Sequence, residues 1–337
     1  MKHGGDLTEA MARHGGALAS WLDLSTGINP WPWPIPQSLP ESAWQRLPSR
    51  AETDALLDAA RKTYGVPDGA GIAAAAGTQA LIQLLPYLAA PGPVAIVGPT
   101  YSEHALAWRN AGHPVIAIDD LAACPENAVH AVVVNPNNPD GCVTDRAMLA
   151  RIAAQLKGRG GWLVVDEAFA DADEGHSLLP AVTRLDHTLV LRSAGKFYGA
   201  AGVRLGFAIT SHPVAGRLKA ALGAWPLPAQ AISFGRAALA DAVWASTQRA
   251  RLVEAASDLD AILQSGGFRP SGGTALFRLA SHDSSRGMFM HLARRGILTR
   301  PFESRSELRF GLPKGQEELN RLRDALTSAP FQKRDRS

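Results

Sequence analysis

Between residues 70 and 210, seven short apolar runs alternate with segments of helical spacing, a pattern that few folds accommodate. The runs are Ile72 to Ala76, Val94 to Val97, Val115 to Ile118, Ala131 to Val134, Trp162 to Val165, Thr188 to Leu191 and Leu205 to Ile209. Strands that are apolar along their whole length belong to a sheet covered on both faces, the condition of parallel strands joined by crossover helices. Between two of the runs, Leu149, Ile152, Ala153 and Leu156 fall on one face of a helix. The expected fold class is α/β: a large domain with a mainly parallel sheet flanked by helices, plus a small α+β domain and an N-terminal arm.

The arm is "GINPWPWPIPQSLP" (Gly27 to Pro40), too rich in proline for a regular helix. Beyond Ser211 the spacing becomes helical, and Ala231 to Leu263 holds one long helix or two. Strands at Thr274 to Leu279 and Leu308 to Phe310, with helices at Gly287 to Arg295 and Gln316 to Ala325, complete a small α+β domain. A chain of 337 residues accommodates two domains. The expected division is 1–45 for the arm and part of the small domain, 46–230 for the large domain, and 231–337 for an interdomain helix and the small domain.

Composition closes off several function classes. The net charge is +3, but the basic residues are scattered, so neither nucleic acid nor a membrane surface is an expected partner. The tail from Gln332 to Ser337 reads as a frayed terminus. Two cysteines, Cys124 and Cys142, lack metal-ligand spacing, which predicts no metal site and a reducing compartment. Met1 to Ala10 contains no continuous apolar leader and no uncharged apolar stretch reaches ~18 residues, so the expected location is cytoplasmic.

Three strand ends carry polar chemistry. "VVVNPNNPDG" (Val132 to Gly141) delivers Asn135, Asn137 and Asn138; "WLVVDEAF" (Trp162 to Phe169) delivers Asp166 and Glu167; "HTLVLRSAGK" delivers Ser193 and Lys196, with Arg204 beyond. Loops at the carboxyl ends of such strands form the ligand crevice of an open α/β sheet. Taken singly, each has a plainer reading: a proline-stiffened turn, a capping carboxylate, a surface lysine. A fourth stretch, "AAAAGTQALIQLL", sets Gly77, Thr78 and Gln79 at the start of an apolar helix, where free N–H groups favour an anion. Amine, carboxylate, amide, guanidinium and anion site together suit pyridoxal 5'-phosphate: the lysine forms a Schiff base, the aspartate holds a proton on the pyridine nitrogen, and the helix start with an arginine binds the phosphate.

These residues carry a resemblance to the aminotransferase class I/II family, the fold type I pyridoxal phosphate enzymes. "NPNNPDG" resembles the family's NPNNPTG, "DEAF" its DEAY or DEAF, and "SAGKFYGAAGVRLG" its lysine motif, in the family's order and across about residues 25 to 320. The resemblance implies Lys196 as the Schiff-base lysine, Asp166 at the pyridine nitrogen, Asn138 at the phenolic oxygen and Tyr101 as a ring that stacks on the cofactor within the catalytic set. It implies Thr78, Gln79, Ser193 and Arg204 for the phosphate, Arg309 of "LRFG" for the substrate carboxylate, and Arg300 for a phosphorylated substrate. A homodimer is implied as well.

Three positions depart from the family pattern. Gly195 replaces a Ser or Thr before the lysine, Phe169 replaces a frequent tyrosine, and Leu47 replaces a tyrosine that in relatives reaches the neighbouring subunit's cofactor. Within the family, "HGGDLTEA", "DLSTGINPWPWP", "QRLPS" and "GTQALIQLLPYLAAPG" are similar to members that act on a phosphorylated amino acid in cobalamin synthesis. That likeness implies a lyase converting L-threonine O-3-phosphate to (R)-1-amino-2-propanol O-2-phosphate, with His3, Gly27 and Asn29 in an arm over the substrate. The alternatives are transamination of histidinol phosphate or a related amine, and a non-catalytic binding protein that keeps the fold.

Overall fold

The computed structural model describes residues 4–34, 41–179 and 186–331. His3, the end of the proline-rich arm and the tail from Gln332 lie outside them. The described chain forms two compact units. The larger contains 32–138 and 142–246, the smaller 4–31, 139–141 and 247–331.

The larger unit is built on a seven-stranded sheet: β1 (Ala70–Ala75), β2 (Val94–Val97), β3 (Val115–Ile118), β4 (His130–Val134), β5 (Leu163–Asp166), β6 (Thr188–Ser193) and β7 (Gly206–Ser211). Their order is β1-β7-β6-β5-β4-β2-β3. The five strands from β6 to β3 are parallel, whereas β7 runs antiparallel to both β6 and β1. The expected mainly parallel sheet is present, with β7 as its reversed member. Leu81, Leu85, Trp108, Val132, Val164 and Leu191 join one core cluster between sheet and helices. Every residue of β1, β4, β5 and β6 is buried, which is why these strands read as unbroken apolar runs.

Local sequence sets the helices around this sheet. Ser49 accepts a hydrogen bond from Glu52 N at 3.2 Å while the Glu52 carboxylate accepts from Ser49 N at 2.8 Å, a reciprocal cap that starts Arg50–Tyr64. Residues 231–263 resolve into two helices, Ala229–Ala240 and Ala242–Ser265. The first buries Ile232, Phe234 and Leu239 in the larger unit, so the division falls at 246/247 rather than at 230/231. It falls at 31/32 rather than 45/46 because Trp33 is also held there: its indole N–H donates to Asp241 at 3.1 Å and its backbone N–H to Tyr198 O at 3.0 Å.

The smaller unit contains an antiparallel sheet of β8 (Arg269–Thr274), β9 (Phe277–Ser281), β10 (Arg300–Phe302) and β11 (Glu307–Gly311), in the order β10-β11-β9-β8. The single strand expected at Thr274 to Leu279 is a hairpin that turns at Ala275 and Leu276. Pro270, Gly272 and Gly273 hide its first arm from strand propensity. The two expected helices are present, Ser285–Arg294 between β9 and β10 and Gln316–Thr327 after β11. The helix Leu7–His14, capped by Asp6, was not anticipated.

Candidate active site

The carboxyl ends of β4, β5 and β6, the start of helix Thr78–Leu88 and the loop before β7 line one cavity in the larger unit. Thr78, Gln79, Tyr101, Asn138, Asp166, Ser193, Lys196 and Arg204 all reach it. The eight side chains expected at the cofactor therefore share one cavity.

Asp166 ends β5 rather than following it. Its Oδ2 lies 2.9 Å from His104 Nε2, and its Oδ1 accepts from Ala168 N at 3.1 Å. Glu167, one residue on, points away from the cavity. Its carboxylate accepts from Ser177 Oγ (2.7 Å), Leu178 N (2.7 Å) and Arg192 Nη1 (2.8 Å), and Arg192 also pairs with Asp171. This triad is buried and sits against the ring of Tyr64. Burial alone would lower the Arg192 pKa, but the carboxylates of Asp171 and Glu167 outweigh it and keep the guanidinium protonated. "DE" is thus one cavity carboxylate and one structural one.

At the other end of the cavity, the helix Thr78–Leu88 starts without a side-chain cap. Two glycines keep its N-terminus open. A Cβ on Gly77, whose φ is 79°, would lie 2.6 Å from Arg204 Nη2, and one on Gly206 would collide with Thr78 N. Backbone N–H groups and a guanidinium thus converge on a space only glycine leaves open, which suits a phosphate. The Gln79 side chain is engaged elsewhere, so its contribution at this cradle is the backbone N–H: Tyr101 Oη donates to Gln79 Oε1 at 3.0 Å, and Gln79 Nε2 donates to Glu103 Oε2 at 3.0 Å.

Lys196 Nζ stands 5.8 Å from the centre of the Phe169 ring. Phe169, in place of tyrosine, presents an apolar face there. Gly195 also has a local cause, since an added Cβ would sit 3.1 Å from Ala201 Cα. Leu47 is 61% exposed. His104 and Glu103 were missed by sequence reasoning; their only signal is proximity to Tyr101 in "TYSEH", which any helix start could contain.

The remaining candidates lie in the smaller unit. Arg309 Nη2 donates to Ser25 O at 2.7 Å, and Arg309 is the register partner of Arg300 across β10 and β11. Burial first, then the charge of Arg300, push the Arg309 pKa down to about 10, against the pull of Asp23. Asn29 is buried, and its Oδ1 accepts from Trp31 N at 2.9 Å and Gln248 Nε2 at 3.1 Å. Gly27 is buried in the same segment.

A cavity lysine, a strand-end carboxylate pinned by histidine and an anion cradle at a helix start, set on this sheet order, define a pyridoxal phosphate enzyme of fold type I. The profile of "Aminotransferase class I and II" matches residues 43–326, and the chain belongs to that family. It is 43% identical over 328 residues, 97% of each chain, to the threonine-phosphate decarboxylase of Pseudomonas aeruginosa. To the threonine-phosphate decarboxylase of a Sinorhizobium species it is 41% identical, over 96% of this chain and 97% of the other. Its fold is similar to that of the histidinol-phosphate aminotransferase of Sinorhizobium meliloti, solved with pyridoxal 5'-phosphate, with a TM-score of 0.78, 19% identity and coverage of 95% and 92%. Among the described residues, no helix is long and apolar enough to cross a membrane.

Proposed function

We propose that this chain is a pyridoxal-phosphate-dependent lyase that decarboxylates L-threonine O-3-phosphate to (R)-1-amino-2-propanol O-2-phosphate for the cobalamin nucleotide loop. The observation that carries the reading is the 43% identity along 97% of both chains to a threonine-phosphate decarboxylase, in a chain whose cavity holds Lys196, Asp166 and Arg204 together. Pyridoxal phosphate, when bound, accepts the electron pair left at Cα as the carboxylate departs.

The chain's own residues divide the remaining work. Arg204 and the N–H groups at Thr78 and Gln79 anchor the cofactor's phosphate, with Ser193 beside them. Asp166, held by His104, keeps a negative charge facing the pyridine nitrogen, and Asn138 donates to the phenolic oxygen. Lys196 Nζ holds the cofactor in the resting enzyme and returns a proton to Cα. We assign the substrate carboxylate to Arg309, the substrate phosphate to Arg300, and the cover to Gly27, Asn29 and His3. The enzyme works as a homodimer in the cytoplasm.

The test is to supply the loaded protein with L-threonine O-3-phosphate and no keto acid. Sustained release of carbon dioxide and aminopropanol phosphate is expected. If only histidinol phosphate with 2-oxoglutarate turns over, yielding glutamate, the chain is an aminotransferase and this reading fails.

A further inference from the structure

The hydrogen bonds that link Glu103, Gln79 and Tyr101 run in one direction. Glu103 Oε2, a carboxylate oxygen that only accepts, receives Gln79 Nε2 at 3.0 Å and Gln83 Nε2 at 3.5 Å. The Gln79 amide therefore presents its nitrogen to Glu103. Its oxygen is left facing Tyr101 Oη at 3.0 Å, and an amide oxygen also only accepts. Toward Gln79 the Tyr101 hydroxyl donates.

The His104 and Tyr101 rings meet edge to face, 6.2 Å between centroids. Tyr101 thus contacts both Gln79 and a histidine that is itself fixed on Asp166. Glu103, Tyr101 and His104 come from one short stretch at the start of helix Ser102–Asn110, and Gln79 from the helix that opens the phosphate cradle.

We propose that Glu103 is a positioning residue of the active site: through the Gln79 amide it fixes Tyr101 as a hydrogen-bond donor, making the tyrosine a ring platform for the cofactor and leaving Lys196 as the proton carrier. The inference rests on the pyridoxal phosphate site and is indifferent to the substrate. It keeps the stacking role expected of Tyr101 and adds what holds the tyrosine in place. Burial, with the charges of Glu103 and Asp166 adding to it, pushes the Tyr101 phenol pKa up, which agrees with a hydroxyl that keeps its proton at neutral pH.

The pattern can be removed and rebuilt. In E103A nothing orients the amide. In Q79E/E103Q a carboxylate at position 79 faces Tyr101 and an amide at 103 donates to it, so the tyrosine remains a donor. The Cζ resonance of Tyr101, assigned among the four tyrosines with Y101F, is read by carbon-13 NMR of the cofactor-loaded chain at neutral pH without substrate. E103A is expected to move it upfield and to weaken cofactor binding about tenfold. Q79E/E103Q is expected to return the Tyr101 resonance to its position in the parent chain. A Tyr101 resonance and cofactor affinity unchanged in E103A, or a double exchange whose Tyr101 resonance stays where E103A puts it, overturns the proposal. Because no substrate is present, failure of the decarboxylase reading leaves this test intact.

Discussion

His104 Nε2 lies 2.9 Å from Asp166 Oδ2, and neither side chain is open to solvent. A carboxylate at the end of a buried strand requires such a partner, because desolvating its charge without one is costly. The histidine also fixes where the carboxylate points, since Oδ1 is engaged by Ala168 N.

His104→Phe keeps a ring in place and removes the partner. Stability is expected to fall by about 1–3 kcal/mol, and turnover at least tenfold, read by urea unfolding and initial rates. Rates and a cofactor spectrum identical to the parent's would show that Asp166 does not depend on the histidine.

Arg192→Met strands the carboxylates of Glu167 and Asp171 in the core. The expected cost is about 3–5 kcal/mol, measured as a shift of the urea midpoint at unchanged slope. A loss under about 1 kcal/mol would mean that the triad relaxes toward solvent.

Acid sensitivity has an identifiable source in His130. Burial first, then neighbouring His113, lower its pKa from 6.5 to about 4, against the pull of Ala90 O. The folded state resists a proton that the unfolded chain takes up below about 6.5, so His130 makes no contribution above that pH and costs stability increasingly as pH falls toward about 4. His130→Gln, whose amide can still donate to Ala90 O and accept from Trp162 N, is expected to flatten the stability profile between those values. An unchanged acid limb would place the sensitivity elsewhere.

Arg309→Ala is expected to raise KM for the phosphorylated amino acid by about ten- to a hundredfold, the worth of a charged hydrogen bond. An unaltered KM would remove Arg309 from carboxylate binding.

The cavity was legible in the sequence where its side chains stand at strand ends. Asn138, Asp166 and Lys196 each follow an apolar run, and chain direction alone puts such positions on one rim. His104 was not legible, because it meets Asp166 only once β2 and β5 flank β4, and Glu103 was not, because it meets Gln79 only once the helices Thr78–Leu88 and Ser102–Asn110 pack together; no local window contains either. Asp166 and the next residue, Glu167, face opposite ways, and the pairing with Arg192 marks Glu167 as the carboxylate of the core. The first arm of the 269–281 hairpin was lost to its glycines and proline, whose pairing with β9 overrides their poor strand propensity.

The reversed strand β7 also sets a timetable. The phosphate cradle joins residues 77–79 to residues 204–206, and that junction forms only when β7 inserts between β1 and β6, antiparallel to each. A chain that extends only through Lys196 already carries the lysine, the aspartate and the helix start, but neither Arg204 nor β7. On the proposed reading the phosphate site is completed only when β1 and β7, the sheet neighbours farthest apart in sequence, come together, a slow kind of contact for a chain to make.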